Sequence, residues 1–411
     1  MKNNIVQVEQ NKCFGCRSCE QRCPQSCITM QENKEGFLYP AVEDKQCTDC
    51  GICVKHCPAL SMETAEETSR CICKVCWLKD EKKLLESTSG GVFAGIAEQI
   101  IKAGGVVFGA AYDENLCVRQ TTADTVEALG ALKGSKYVES DTGNTFCRTR
   151  ELLEAGRSVF YTGTPCQIAG LKAYLGREYD NLLTADLICH GVPSRKLFKK
   201  YLEWLGKKTG GKIIYVGFRD KDVGGCSCLD GKIKTKTKTK TKTKTKTLSS
   251  LLDPYYASFI RCETYKESCY SCPFASLQNR YADITIGDFH ELHRIPEYQD
   301  KPFDMEKGVS LAIFHTDKGI RYFEKIRQKF ECFDVHAEDF IDIKSNVRVP
   351  SARPAVRGIL YTGIDVLPVK EFFKRFKEAN CFYPLYFYSR RLLAKLIPQP
   401  VKNRLKELLK T

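Results

Sequence analysis

The sequence has no long apolar run and lacks several common cofactor motifs. Its longest apolar stretch, around residues 104–111, is far shorter than the roughly 18 residues of a membrane-spanning helix. No Gly-x-Gly or Gly-x-Ser-x-Gly occurs, which excludes the common dinucleotide-binding loop and the nucleophile elbow of serine hydrolases. Residues 206–212 nearly match a P-loop but continue with Ile213 instead of Ser or Thr. The function of the chain therefore does not depend on any of these common sites.

Cysteine is the unusual component of an otherwise ordinary composition. Hydrophobic residues make up 43% and charged residues 28% of the 411 residues, as in globular proteins, and this length predicts two or three domains. The chain contains 23 cysteines. Because the first residues lack the apolar core of a secretory signal, we expect a cytoplasmic protein whose thiols stay reduced. Metal ligation is then the main use expected for the cysteines.

The net charge of +14 depends strongly on one low-complexity run. Seven consecutive Lys-Thr pairs occupy residues 234–247 and contribute half of the charge. In an extended strand the two-residue period places every lysine on one face. Since like charges repel, we expect an over-long, mobile hairpin or loop at 232–247. Charge alone would suggest nucleic acid or another acidic partner, and we do not expect nucleic-acid binding.

The pattern along the chain predicts three regions. A cysteine-rich segment at 1–65 precedes a polar linker at 61–70, a larger region at 70–350 and a basic, helical C-terminal region at 351–411. Short β-rich runs alternate with helical patterns in the middle region, which predicts a mixed α/β, or α+β, fold. The predicted strands include 105–109, 158–161, 182–187, 283–286 and 309–314, and the predicted helices include 91–103 and 167–175.

The N-terminal segment repeats one cysteine pattern twice. Residues 13–24 and 47–58 both read Cys-x2-Cys-x2-Cys-x3-Cys-Pro, in which three cysteines bind one iron-sulfur cluster and the fourth binds the other. The segment resembles a bacterial two-cluster ferredoxin. This resemblance assigns one 4Fe-4S cluster to Cys13, Cys16, Cys19 and Cys57, and the second to Cys47, Cys50, Cys53 and Cys23.

Two alternatives accompany this assignment. A zinc module can use similar spacings, although zinc sites do not need a duplicated run with a proline after each fourth cysteine. Cys27 follows the first run but has no place in the pattern. We interpret it as a buried thiol.

The larger region carries a series of short motifs that resemble a known family. These motifs lie at residues 87–93, 133–138, 161–167, 186–191, 253–256, 269–273 and 282–289. In this order they resemble the coenzyme F-420 hydrogenase/dehydrogenase beta-subunit family over about residues 70–350. Cys226 and Cys228 stand where that family more often has an aromatic residue, and His290 and Glu291 replace its usual Trp-Gly. His290 is either an acid or base beside the flavin or a structural or surface histidine.

The resemblance implies that the region binds FAD, and local patterns indicate where. A glycine turn precedes an amphipathic helix, so its amides and the helix dipole can receive phosphates. The alternative is a plain helix N-cap. A second segment offers two cations in a turn, with a solvated loop as its alternative. The candidate flavin-binding residues are Ser89, Gly90, Gly91, Lys133, Ser135, Lys136, Thr162, Gly163 and Thr164.

The same resemblance implies a third 4Fe-4S cluster. Its ligands would be Cys166, Cys189, Cys269 and Cys272. A zinc site and unligated core thiols are the alternatives. Three further cysteines at 71, 73 and 76 lack a fourth partner, and we interpret them as core thiols in a strand.

These features predict an iron-sulfur flavoprotein oxidoreductase. Electrons from a redox carrier would pass through the clusters to FAD and then by hydride transfer to a coenzyme F-420-like acceptor or another substrate, such as a carbohydrate or envelope precursor. The alternative is an electron-transfer subunit that serves a separate catalytic partner. Apolar residues at 401, 405, 408 and 409 among basic ones predict weak contact with a membrane surface, with packing on the protein itself as the alternative.

Overall fold

The computed structural model describes residues 2–61, 71–224, 230–237, 243–290, 305–337 and 345–378. Most of the predicted linker, Cys226, Cys228, the middle of the Lys-Thr run and the tail beyond 378 lie outside these residues. We call residues 2–61 the head and the described residues from 71 onward the body. In the part of the chain that is described, no helix is both long and apolar enough to span a bilayer.

The head contains a two-stranded sheet and two short helices that repeat one local design. Strands β1 (Ile28–Glu32) and β2 (Leu38–Val42) are antiparallel. Helices α1 (Ser18–Arg22) and α2 (Ile52–Lys55) each follow a residue in the left-handed conformation, Arg17 and Gly51. This turn leads directly from each cysteine loop into its helix.

The body is built on an eight-stranded mixed sheet, so the predicted α+β fold with a ferredoxin-like head is confirmed. The strand order is β13-β3-β12-β11-β7-β6-β4-β5. Neighbours β11, β7, β6 and β4 are parallel, and the other pairs are antiparallel. The strands are β3 (Ile72–Leu78), β4 (Val106–Tyr112), β5 (Val118–Ala123), β6 (Val159–Gly163), β7 (Leu182–Leu187), β11 (Ile284–Asp288), β12 (Ser310–Phe314) and β13 (Phe330–Val335).

Helices connect these strands and begin at clear sequence signals. Thr164 and Gln167 form a capping box at the start of one helix, which also has Pro165 in its first turn. The five strands and the two helices predicted by position all coincide with observed elements. The helices are α3 (Glu81–Leu85), α4 (Val92–Lys102), α5 (Leu129–Leu132), α6 (Thr145–Glu154), α7 (Pro165–Leu175), α8 (Arg195–Thr209), α9 (Lys221–Gly224), α10 (Pro254–Ile260), α11 (Asp317–Glu324), α12 (Arg357–Leu360) and α13 (Val369–Glu378).

A second, three-stranded sheet and an aromatic core lie beside the main sheet. Strands β8 (Gly211–Gly217), β9 (Gly231–Thr237) and β10 (Thr243–Leu248) form this sheet in the order β10-β9-β8. Tyr201 of α8 stacks on Tyr255 of α10 with ring centroids 4.6 Å apart. Phe373 of α13 contacts Tyr201 as well. The described C-terminal helices therefore share a hydrophobic core with the body.

The described ends of the Lys-Thr run form the predicted hairpin. Strand β10 pairs with β9 in antiparallel register, with Thr245 opposite Lys234. Along β9 the side chains alternate in burial: Ile233 and Thr235 are buried, while Lys236 is exposed. The two-residue period thus places threonine inward and lysine outward at the start of the run.

Thr235 is a site where an apolar replacement should increase stability. Its side chain is only 1% exposed, and its hydroxyl has no hydrogen-bond partner. Since a buried, unpaired hydroxyl is costly, we expect Thr235→Val to raise the free energy of unfolding by about 1 kcal/mol. Urea unfolding measures the change. Thr245→Val, at an exposed position of the same hairpin, should leave stability nearly unchanged.

Candidate electron-transfer site

The first cysteine cavity of the head combines both cysteine runs. Cys13, Cys16 and Cys19 from the first run and Cys57 from the second line one cavity. The fold therefore brings together the four thiols that the sequence assigns to one cluster.

The second cavity has the reciprocal composition. It is lined by Cys47, Cys50 and Cys53 of the second run and by Cys23 of the first. Cys27 lines it as a fifth thiol and is 5% exposed. The prediction that Cys27 is buried is confirmed, and its position beside the second set was not foreseen.

The chemistry of these donor sets fits a positively charged centre. Burial, together with the smaller effect of neighbouring thiols, raises the pKa of Cys16 to about 12 and that of Cys57 to about 11. A bound metal centre counteracts both effects because it stabilises thiolates. Across the described ranges, no three His, Cys, Asp or Glu side chains form a group that could hold a metal ion. A four-iron cluster takes its thiolates at separate irons, so it needs thiols arranged around a cavity.

The body brings the other four predicted thiols into one neighbourhood. Cys166 lies in the first turn of α7, and Cys189 follows β7. Cys269 lies within a 3-10 turn at Glu267–Ser271, and Cys272 directly follows this turn. The Thr164 hydroxyl lies 3.2 Å from the Cys166 sulfur. The predicted set is thus assembled from three separate segments.

Electrostatics indicate that these four thiols are close to one another. Burial raises the pKa of Cys166 well above its ordinary value, and the charges of Cys272, Cys189 and Cys269 raise it further. Burial, followed by the charge of Cys272, raises the pKa of Cys189 to about 12. Four half-buried thiols that oppose each other's ionisation are a suitable donor set for a cationic centre.

The first head cavity contacts the body next to this set. A β-carbon built on Gly170 would lie 2.8 Å from both the Cβ and the Sγ of Cys16, so the absence of a side chain at Gly170 permits the approach. Gly170 is one helical turn beyond Cys166 in α7. Phe14, in the same head loop, also packs against Phe274 with ring centroids 5.1 Å apart, and Phe274 is two residues beyond Cys272. Two independent contacts thus connect the two cysteine sets.

Two cations at the junction of head and body hold the head in this position. Arg17 of the head binds Asp141 of the body through two nitrogens at 2.6 and 3.1 Å. Lys266, 1% exposed, donates from the body to the carbonyl of Leu38 at 2.9 Å and to Glu139 at 3.1 Å. Burial alone lowers the pKa of Lys266, but Glu139, Cys13 and Tyr39 outweigh it and the pKa is raised. These contacts fix the distance between the cysteine sets.

A third anchor offers a stability test. Arg357, fully buried, binds Glu35 of the head through two hydrogen bonds of 2.8 and 2.7 Å. Because Glu35→Gln leaves a buried cation without its main counter-charge, we expect it to cost about 3 kcal/mol of unfolding free energy. Glu203→Gln breaks an exposed pair with Lys207 and should cost less than about 0.5 kcal/mol. Urea unfolding compares the two variants, and equal costs would contradict the role of Glu35.

The predicted glycine turn packs closely against the sheet. The Ser89 hydroxyl donates to the Val309 carbonyl at 2.7 Å, and the Gly90 N–H donates to the Ser310 hydroxyl at 2.9 Å. Gly91 caps α4 with a φ of 86°, a conformation that favours glycine. A phosphate at this turn would therefore need the amides that follow Gly90, at the N-terminus of α4.

The predicted cationic segment lies close to that turn. Lys133 forms a 3.2 Å ion pair with Glu86, three residues before Ser89. The Lys136 ammonium donates to the carbonyls of residues 131, 132 and 133, and burial lowers the pKa of Lys136 to about 7. Ser135 hydrogen-bonds Tyr137. The segment is thus ordered by its own backbone.

Thr162, Gly163 and Thr164 lie at the carboxyl end of β6, beside Cys166. The Thr162 hydroxyl donates to the Phe108 carbonyl at 2.8 Å, and a β-carbon on Gly163 would meet the Gln167 side chain at 3.0 Å. The carboxyl ends of parallel strands commonly line the ligand crevice of open α/β sheets. These three residues therefore occupy a suitable edge of the sheet.

The structure also describes the three cysteines near residue 75 and the histidine that the sequence analysis singled out. Cys73 and Cys76 are buried in β3, and the half-buried Cys71 lies 3.4 Å from a ring nitrogen of His315, so the prediction of core thiols in a strand is confirmed for Cys73 and Cys76. His290 is exposed.

Sequence reasoning missed Lys266, whose buried ammonium lies at the junction of head and body. No local pattern marks it, because its partners are distant in the chain.

Comparisons with known proteins agree with this organisation. The family model described as "4Fe-4S dicluster domain" matches residues 12–60, and the model for the C-terminal part of the coenzyme F420 hydrogenase/dehydrogenase beta subunit matches residues 156–337. One similar solved structure is the F420-reducing NiFe hydrogenase complex from Methanosarcina barkeri, studied by xenon derivatization. It has 17% identity, coverage of 75% of this chain and 90% of that chain, and a TM-score of 0.41. No curated protein matches the chain. Residues 156–337 of the chain therefore belong to the coenzyme F420 hydrogenase/dehydrogenase beta-subunit family, and the chain carries an N-terminal 4Fe-4S ferredoxin domain.

Proposed function

We propose that the chain is an oxidoreductase that passes electrons from two head clusters to a third 4Fe-4S cluster and then to FAD. The eight head thiols would hold the first two clusters, with the ligand sets given above. Cys166, Cys189, Cys269 and Cys272 would hold the third. A redox carrier or partner subunit would exchange electrons with the head, where Cys50 is the exposed thiol of the second cavity.

The contact between Cys16 and Gly170 carries this proposal. It brings a head ligand to within one helical turn of Cys166, a rise of about 6 Å along α7. A head that served only as a structural module would not need a body helix with a glycine at this position. The contact therefore favours an electron path from head to body over two independent metal sites.

Groups of the body would tune the third cluster and hold FAD. The Thr164 hydroxyl can donate a hydrogen bond to the Cys166 sulfur at 3.2 Å, and such bonds help to set the reduction potential of a cluster. The amides after Gly90, together with Lys133, Lys136 and the 162–164 edge, would hold FAD. FAD, when bound, supplies the conversion between one-electron and two-electron transfer, and the hydride acceptor would be a coenzyme F420-like or other small molecule.

A second candidate is an electron-transfer subunit without substrate chemistry of its own. The family description as a beta subunit favours it, since a beta subunit works within a larger assembly. The head clusters would then exchange electrons with the catalytic partner. This candidate shares the internal relay with the first and differs only in where the hydride chemistry takes place.

Anaerobic reduction with a viologen, followed by absorbance and electron paramagnetic resonance, tests the first candidate. We expect cluster signals and bleaching of flavin absorbance, and then reoxidation when coenzyme F420 or a nicotinamide is added. Reduction without reoxidation by any small acceptor, restored by a co-purifying subunit, would favour the second candidate. A colourless protein that accepts no electrons would contradict both.

A further inference from the structure

The second head cavity contains one thiol more than a cluster needs. The Cys27 sulfur lies 3.4 Å from the Cys23 sulfur and also makes a hydrogen-bond contact with Cys47. Five cysteines line this cavity, whereas four line the other. A 4Fe-4S cluster takes four thiolates, so one thiol of this cavity is surplus.

The backbone holds Cys27 against Cys23. Ser26, between them, has a φ of 49°, a left-handed conformation that turns the chain back on itself. The Ser26 N–H donates to the Cys23 carbonyl at 3.2 Å, and the Cys27 carbonyl accepts from the Glu43 N–H at 2.8 Å. Backbone hydrogen bonds before and after Cys27 therefore hold this residue at the wall of the cavity.

The duplicated half of the head lacks this feature. The position equivalent to Cys27, four residues after the last cysteine of the second run, is Ser61. The Ser61 hydroxyl donates to the Cys57 carbonyl at 2.8 Å, and Ser61 does not line the first cavity. The extra thiol is thus a property of one site and not of the repeated fold.

We propose that Cys27 is an alternative ligand of the second cluster and can replace Cys23. In the exchange, the bond between iron and the Cys23 sulfur breaks and a bond to the Cys27 sulfur forms, while the Cys27 proton passes to Cys23. No electron is transferred in this step. The inference rests on the proposed function, because it requires a cluster in this cavity.

The experiment compares iron content and electron paramagnetic resonance of Cys23→Ala, Cys57→Ala and the double variant Cys23→Ala/Cys27→Ala. Cys23→Ala should keep the wild-type iron content and a reduced-cluster signal with altered line shape. Cys57→Ala is the matched control without a spare thiol and should lose about four irons. The double variant should lose about four irons as well, and Cys27→Ala alone should lose none.

The outcomes separate this inference from the proposed function. If Cys23→Ala loses as much iron as Cys57→Ala, or does not fold, Cys27 does not substitute and the inference is overturned. If the wild-type protein itself binds fewer than about eight irons, the proposed head clusters are wrong. Equal iron in Cys23→Ala and the double variant would also overturn the role of Cys27.

Discussion

Cys269→Ser is expected to lower the iron content from about twelve to about eight per chain and to stop electrons from reaching the body. Cys269 is half-buried beside the other body thiols, and its pKa is raised by desolvation and by the charges of Cys189 and Cys272. Without this ligand the third cluster loses one of its four attachment points. The head clusters should still be reduced by a viologen, because their thiols lie in separate cavities.

The matched control for this variant is Cys117→Ser. Cys117 is exposed and directly precedes β5. It belongs to none of the three cysteine sets and does not line either head cavity. It should keep the full iron content and normal reduction of the bound flavin. Twelve irons in Cys269→Ser, or loss of iron in Cys117→Ser, would contradict the assignment of the third site.

Gly170→Ala is expected to slow electron transfer between head and body while leaving all clusters in place. The added methyl group would lie 2.8 Å from the Cβ and Sγ of Cys16. Neither atom can move freely, because the backbone fixes the Cβ and cluster binding would fix the Sγ. Overpacking of this kind costs about 1–3 kcal/mol, and the head must shift away from α7 to relieve it.

Gly130→Ala provides a control for Gly170→Ala. Gly130 also lies in a helix, α5, but a β-carbon there meets no atom within 4 Å. It should therefore be neutral or slightly stabilising, by up to about 1 kcal/mol. Stopped-flow reduction compares the two variants. Unchanged transfer in Gly170→Ala at normal iron content would show that electrons do not cross at this contact.

Local patterns in the sequence predicted much of the fold and of the head site. The duplicated Cys-x2-Cys-x2-Cys-x3-Cys-Pro run predicted which thiols share a cavity, because three of the four in each set lie in one loop. Strands such as β6 and β7 follow from short β-rich runs. In these cases the information lies within a few residues of the structure that it specifies.

The features that join head and body could not be predicted in this way. Glu35 and Arg357 are separated by 322 positions, and nothing near either one signals the partner. Gly170 looks like an ordinary helix glycine until Cys16 is placed against it. Cys27 was correctly predicted to be buried, but its distance to Cys23 depends on the left-handed turn at Ser26. Such contacts follow from tertiary packing and not from local pattern.

The most direct test of the relay is to measure iron, acid-labile sulfide and flavin on one anaerobically purified sample. Three four-iron clusters and one FAD predict about twelve irons, about twelve sulfides and about one flavin per chain. About eight irons without flavin would contradict the account, because it would leave the body thiols without a cluster and the head without an electron acceptor in its own chain.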